Sequence, residues 1–138
     1  MTDKAALENQ ISTVKKYLHM IERYHAFSQE HIANNIDIRG AVERYLYLLA
    51  QSAIDLGESV IAYRRLRKPG TMSEIFHILR EEGIIDEELL GRMTAMTGFR
   101  NVIAHDYEEV DYGIVYHILH EGVEDIRRYV RVIEALIA

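Results

Sequence analysis

A chain of 138 residues with 49% apolar and 28% charged residues has a globular balance and the length of one domain, 1–138, able to bury roughly two-thirds of its unfolded surface. The absence of cysteine excludes disulfides and thiolate metal sites, and a net charge of −6 argues against a broad surface for non-specific nucleic-acid binding, though not against a local basic site. No apolar run reaches the roughly 18 residues of a membrane span, and MTDKAALENQ (1–10) lacks the apolar core of a signal peptide, so the expected location is the cytoplasm, with no membrane partner.

Taken in order, Leu7, Ile11, Val14, Leu18, Ile21, His25, Ser28 and Ile32 recur at spacings of three and four, one face of a long helix that Thr2 or Asp3 caps. NNID (34–37) breaks the pattern, and Asp37 is placed to cap the next helix. Val42, Leu46, Leu49, Ala53, Leu56 and Val60 form its stripe, which ends in a basic turn around Arg67. At 1.5 Å per residue each of these two helices would be about 45 Å long. A bundle so long and thin leaves an apolar stripe that dimerisation would cover, and Tyr45, Tyr47, Ile54 and Ile61, off the main stripe, are candidates for it. After Pro69-Gly70, TMSE (71–74) is a Thr-x-x-Glu capping box opening a short helix to about Glu82, with Gly83 as the stop. Asp86 caps a fourth helix running to about Ile103. The polar, acidic segment 106–111 reads as a loop, and Asp111 starts the last helix, with Val115, Leu119, Gly122, Ile126, Val130, Ile133 and Ile137 on one face. Strand-like alternation and repeats are missing. The expected fold is all-α, an antiparallel up-and-down bundle of four main helices plus one short one.

One stretch departs from plain helix. GFRNVIAHDYEEVDYG (98–113) sets Arg100, His105 and Tyr107 within eight positions, beside a run of acids. Arg100 and His105 are five apart, about 140° of rotation on a regular helix, so they share no face. They converge only if the helix ends between them or if a second chain supplies the other half. The pair suits a phosphodiester: a guanidinium offers a fixed fork of donors to phosphate oxygens, and an imidazole exchanges a proton near neutrality. In RNA the 2′-hydroxyl is a built-in nucleophile, so deprotonation, charge stabilisation and protonation of the leaving oxygen suffice, with no metal. Two copies of His105 across a two-fold groove would supply both base and acid. The plainer alternative pairs Arg100 with Glu108 or Glu109 and lets His105 merely end a helix.

RNVIAHDY resembles the Arg-x4-6-His motif of the HEPN superfamily of helical ribonucleases, in the Arg-x4-His-x-Tyr form of its HepT-like toxin group, as do the flanking TGF and DY. AVERYLYLLAQSAIDLGESVIAY (41–63) is similar to the second helix of that group, with its Glu-Arg-x-Leu beginning and its Ile-Asp-hydrophobic-Gly segment. The resemblance implies a metal-independent endoribonuclease toxin acting as a homodimer on RNA, without a cofactor, in which Arg100 holds the phosphate and His105 is the acid/base. It implies a partner as well, a minimal nucleotidyltransferase antitoxin of the MntA type that silences the toxin by transferring AMP to the motif tyrosine, here Tyr107. Added phosphate charge beside the cleft would oppose an incoming polyanion. The alternative function is a non-catalytic helical module of the same superfamily that binds a nucleotide or a partner nucleotidyltransferase.

Flanking residues complete the candidate set. Asn101 is placed to orient His105 or to touch RNA, and Asp106 to set the His105 tautomer or simply to be solvated. Arg39 and Arg44, with Asp37 and Glu43, would line the cleft or form a surface ion-pair network, and Arg64, Arg65, Arg67 and Lys68 would guide RNA or complement a helix end. His117, His120 and Glu121 lie at i, i+3 and i+4, a metal-compatible spacing, but no metal is expected there.

Overall fold

The structure, a computed structural model, describes residues 3–105 and 110–138, and every regular element among them is helical. Helix α1 (Lys4–Glu22) begins where Asp3 accepts from the Ala6 N–H at 2.8 Å; Thr2, the other expected cap, lies outside the described residues. The expected first helix divides. After Glu22 the chain tightens through i→i−3 bonds such as Tyr24 N–H to the Ile21 carbonyl (3.0 Å), and Ser28 then caps a separate short helix, α2 (Gln29–Asn34). Periodicity ran across the break because Ile32, on α2, is buried like the residues of the α1 stripe. Tyr24 packs on Phe27 and on Tyr45 at 5.9 and 6.0 Å between ring centroids, which gives the turn an anchor of its own.

Helix α3 (Ile36–Tyr63) is the central element and packs against α1, α2 and the two helices that follow it. Its cap is Asn35 rather than Asp37: the Asn35 amide oxygen accepts from the Asp37 and Ile38 N–H groups, and Asp37 stands instead in the first turn, where its charge suits the helix dipole. The helix also stops before the expected Arg67. Arg65 takes φ 55°, and the Leu66 N–H reaches back to the Ile61 carbonyl at 2.9 Å, a Schellman closure. Helix α4 (Met72–Glu81) has the expected Thr71 cap and ends the same way on Gly83, at φ 71°. Helix α5 (Glu87–His105), capped by Asp86 at 2.8 Å from the Leu89 N–H, buries residues on more than one side because it packs against α3 and α4 and also against the last helix.

The final helix is interrupted. Helix α6 (Tyr112–His117), capped by Asp111, passes through a π turn (Ile118–Gly122) into α7 (Val123–Ile137). Within that turn the two ring nitrogens of His120 lie 2.9 Å from the Tyr116 carbonyl oxygen and 2.8 Å from that of His25, tying the turn to the end of α1. The core runs through all the long helices, with Tyr129 and Phe76 its largest fully buried side chains. Ile54 and Ile61, read as dimer-surface candidates, belong to this core, because α3 is covered on more than one side; Tyr45 and Tyr47 are half-buried. None of the described helices is long and apolar enough to cross a membrane.

Candidate functional site

Helix α5 carries the motif. It stays helical through His105, so within one chain the Arg100 and His105 side chains leave different sides of the same helix, and the route in which the helix ends between them is closed. Arg100 is half-buried against α3, whereas His105 is exposed at the end of α5. Tyr107, with Asp106, Glu108 and Glu109, lies outside the described residues.

The guanidinium of Arg100 is held on three sides. Its Nε donates to Oε1 of Gln51 at 2.7 Å, its Nη2 to the Tyr47 hydroxyl at 3.3 Å and its Nη1 to Oδ1 of Asn101 at 3.1 Å. It also stands 5.2 Å from the centroid of the Tyr47 ring, a cation–π distance. Of its five N–H donors these contacts use three, so two remain for an anion. Asn101 thus braces Arg100. Each of these partners is neutral, so none of them cancels the guanidinium charge.

Two further cations stand along the first turns of α3. Arg44, exposed, lies 5.7 Å from the same Tyr47 ring that Arg100 meets, so one aromatic is shared by two guanidinium groups. Arg39 lies 5.7 Å from the ring of Tyr112 at the start of α6, and the Tyr112 hydroxyl donates to Glu43 at 2.7 Å. Burial first, and then that hydrogen bond to a carboxylate, pushes the Tyr112 phenol up to about 12. Of the expected flanking residues, Arg39 and Glu43 thus meet Tyr112 at the start of α6, Arg44 meets the Tyr47 ring that Arg100 also meets, and Asp37 is exposed in the first turn. The basic cluster after α3 is a separate matter: Arg67 donates to Glu74 at 2.6 Å and to Glu81 at 2.7 Å, clamping the α3–α4 connection and holding the Glu81 carboxyl below its ordinary value.

Sequence reading missed Gln51 and treated Tyr47 only as a dimer candidate. A signal was available. Arg44, Tyr47, Gln51 and Asp55 follow one another at spacings of three and four, a polar stripe on one side of an otherwise apolar helix. Asp55 completes it by accepting from Gln51 Nε2 at 2.9 Å. The Ile-Asp-hydrophobic-Gly segment now has a reading residue by residue: Ile54 and Leu56 fill the core, Asp55 holds Gln51, and at Gly57 the helix approaches Ile75 of α4 so closely that a Cβ would stand 2.5 Å from its Cγ2.

Elsewhere on α5 an apolar groove of about 390 Å³ runs between that helix and the α6–α7 segment, lined by Met96, Phe99, Val102, Ile103, Ile114 and Ile118 among others. Val102 and Ile114 are 50% and 53% exposed in it. Arg100 and His105 do not line this groove, although Val102 and Ile103 belong to the same motif segment. Asp125 at its edge is pushed above the usual carboxylate range by burial, against the opposing charges of Arg92 and Arg128.

The His117, His120 and Glu121 set does not converge: His117 Nδ1 meets Glu121 at 2.7 Å, while His120 is committed to two carbonyls. Two Glu-x-x-His segments, Glu22 to His25 and Glu74 to His77, also occur, but Glu74 is taken by Arg67 and the His25 ring packs on His120 at 4.3 Å. Among the described residues, no group of three or more His, Asp or Glu is gathered as a metal would need.

Comparison with known proteins gives a consistent picture. Residues 14–133 match the sequence model of a family described as Ribonuclease HepT-like. The chain is 24% identical over 127 residues to the mRNA nuclease HepT of Shewanella oneidensis, covering 92% of this chain and 95% of that protein. It is also 24% identical over 129 residues to the tRNA nuclease HepT of Aphanizomenon flos-aquae, covering 94% of this chain and 88% of the other. Among solved structures, the tri-AMPylated Shewanella oneidensis HEPN toxin in complex with MNT antitoxin superposes with a TM-score of 0.84 at 24% identity, covering 94% of this chain and 96% of that one, which shows the shared fold.

Proposed function

Because the chain belongs to the ribonuclease HepT-like family, we propose that it is an endoribonuclease toxin that cuts RNA at a cleft shared by two copies and is silenced by a nucleotidyltransferase antitoxin. The observation that carries this reading is the setting of Arg100: among the described residues its fork is fixed by the neutral groups of Gln51, Tyr47 and Asn101, two N–H donors are left over, and Arg44 lies 5.7 Å from the same Tyr47 ring. That is a phosphate clamp looking for a proton-transfer group.

His105 supplies that group. One copy removes the proton from a 2′-hydroxyl, whose oxygen attacks the adjacent phosphorus. Arg100 neutralises the charge that builds on the non-bridging oxygens. The second copy of His105 donates a proton to the departing 5′-oxygen, leaving a 2′,3′-cyclic phosphate and a 5′-hydroxyl. Since α5 turns Arg100 and His105 to different sides, the complete set requires two chains, and the exposed Val102 and Ile114 beside the motif offer apolar surface for a second copy to cover. Arg39, Arg44 and Asn101 contact the RNA backbone in this reading. The antitoxin transfers AMP from ATP to the Tyr107 oxygen with release of pyrophosphate, placing negative charge two residues from His105. The tri-AMPylated HEPN toxin and the two nuclease relatives support this assignment.

The test compares RNA cleavage by the purified protein with that of Arg100→Ala and His105→Ala, at equal folded concentration. Each variant should lose about 10²-fold or more in rate. Three equal activities would overturn the assignment.

A further inference from the structure

Nothing in phosphodiester chemistry asks for a glutamine, yet a glutamine makes the shortest contact to Arg100. The Nε of Arg100 donates to Gln51 Oε1 at 2.7 Å, and Gln51 Nε2 donates onward to Asp55 Oδ1 at 2.9 Å, one turn further along α3. We propose that Gln51 is the positioning residue of Arg100, aiming the guanidinium through a neutral amide whose orientation Asp55 sets, so that the fork is fixed without its charge being cancelled. This inference rests on the RNA-cleaving reading above and adds to it a residue that touches no substrate.

The oxygen and nitrogen of the Gln51 amide differ little in size, so steric fit cannot choose which one faces Arg100. Hydrogen bonding does choose. Asp55 as a carboxylate only accepts, and Arg100 only donates. With Oε1 toward Arg100 and Nε2 toward Asp55 both contacts are satisfied; a flipped amide would set donor against donor at one end and acceptor against acceptor at the other. All three groups are partly withdrawn from water, which raises the cost of the wrong arrangement.

A carboxylate at position 51 would hold Arg100 at least as firmly, but as an ion pair that competes with phosphate for the same donors. Asp55, the one anion in the stripe, is kept four residues away from position 51, about 6 Å along the helix axis, with the neutral amide between it and the guanidinium. The contact to Tyr47 follows the same rule, being a hydroxyl and a ring face, and so does the contact to Asn101. Among the described residues, the acceptors that orient Arg100 thus carry no formal charge.

The decisive variant is Gln51→Glu. It keeps an acceptor toward Arg100 but sets a carboxylate oxygen against Asp55, so Tm should fall somewhat under either reading, and cleavage at equal folded concentration separates them. A purely structural tie predicts unchanged cleavage. A positioning role that depends on neutrality predicts cleavage of a short RNA lowered at least about tenfold, the KM rising because the clamp is already paired. Gln51→Met, similar in size and without an acceptor, should lower kcat by about 10²-fold with KM little altered, since the fork is then free to swing. Wild type and Arg100→Ala are run alongside. If those two cleave equally, the nuclease reading falls and this inference with it. If wild type outruns Arg100→Ala but Gln51→Glu matches wild type, the nuclease reading stands and the neutral relay is overturned.

Discussion

The rotational setting of α3 decides whether Tyr47, Gln51 and Asp55 face Arg100, and one residue in that setting can be perturbed with a calculable outcome. Gly57 sits where α3 passes α4. A Cβ there would stand 2.5 Å from Cγ2 of Ile75 and 3.0 Å from the hydroxyl of Tyr129. Ile75 is fully buried and branched at Cβ, so it has little room to turn aside. Tyr129 is fully buried too, its phenol pushed up by burial, and its hydroxyl donates to the Ala53 carbonyl at 3.0 Å. Gly57→Ala therefore gains about 1 kcal/mol of helix propensity. Against this stand about 1–3 kcal/mol of overpacking and up to about 1 kcal/mol from a disturbed buried hydrogen bond. The net is a loss of up to about 3 kcal/mol, a fall in Tm of up to about 10 °C at this chain length. Gly91→Ala is the matched control: on α5, exposed, with nothing within 4 Å of the added methyl, it should gain about 0.5–1 kcal/mol and raise Tm. Thermal melts followed by far-ultraviolet circular dichroism read both. A Gly57→Ala protein that gains stability as Gly91→Ala should, or a Gly91→Ala protein below wild type, would refute the packing argument.

Two further predictions concern the face around Arg100. Tyr112 ionises near 10 in the unfolded chain and is pushed up to about 12 in the folded one. Its contribution to stability is then fully present below pH 10 and is lost as pH rises toward 12. The Tm gap between wild type and Tyr112→Phe should accordingly shrink between pH 10 and 12; a constant gap would show that the phenol titrates alike in both states. Tyr47 meets Arg100 by its ring at 5.2 Å and by a hydroxyl at 3.3 Å, the latter at the long end for a hydrogen bond. Tyr47→Phe should therefore keep RNA cleavage within about threefold, whereas Tyr47→Ala, losing a cation–π contact of about 1 kcal/mol and the packing, should cost about fivefold or more. Equal losses in the two variants would assign the effect to the hydroxyl.

Helix positions, most caps and the motif were legible in the chain itself, because a helix announces itself locally. Apolar spacing of three and four, the Thr71 capping box, Gly83 as a stop and Asp86 and Asp111 as caps all act within one or two turns, and each stands where expected. The division of the first helix at Glu22, the Arg65 closure and the π turn were not legible. They depend on an aromatic anchor, a left-handed residue that is not glycine, and a histidine reaching a carbonyl 95 residues away. The same boundary runs through the site. Arg100 and His105 could be named from their spacing and from a family likeness, but spacing could not say what holds Arg100. The contact to Gln51 spans 49 residues and that to Tyr47 spans 53, and no periodicity along one helix can reveal which polar stripe on another it will meet. Sequence alone settled which side chain types the motif offers, since side-chain type is a local fact. The tertiary structure alone decided their aim, because a guanidinium is oriented only by acceptors that folding brings to it.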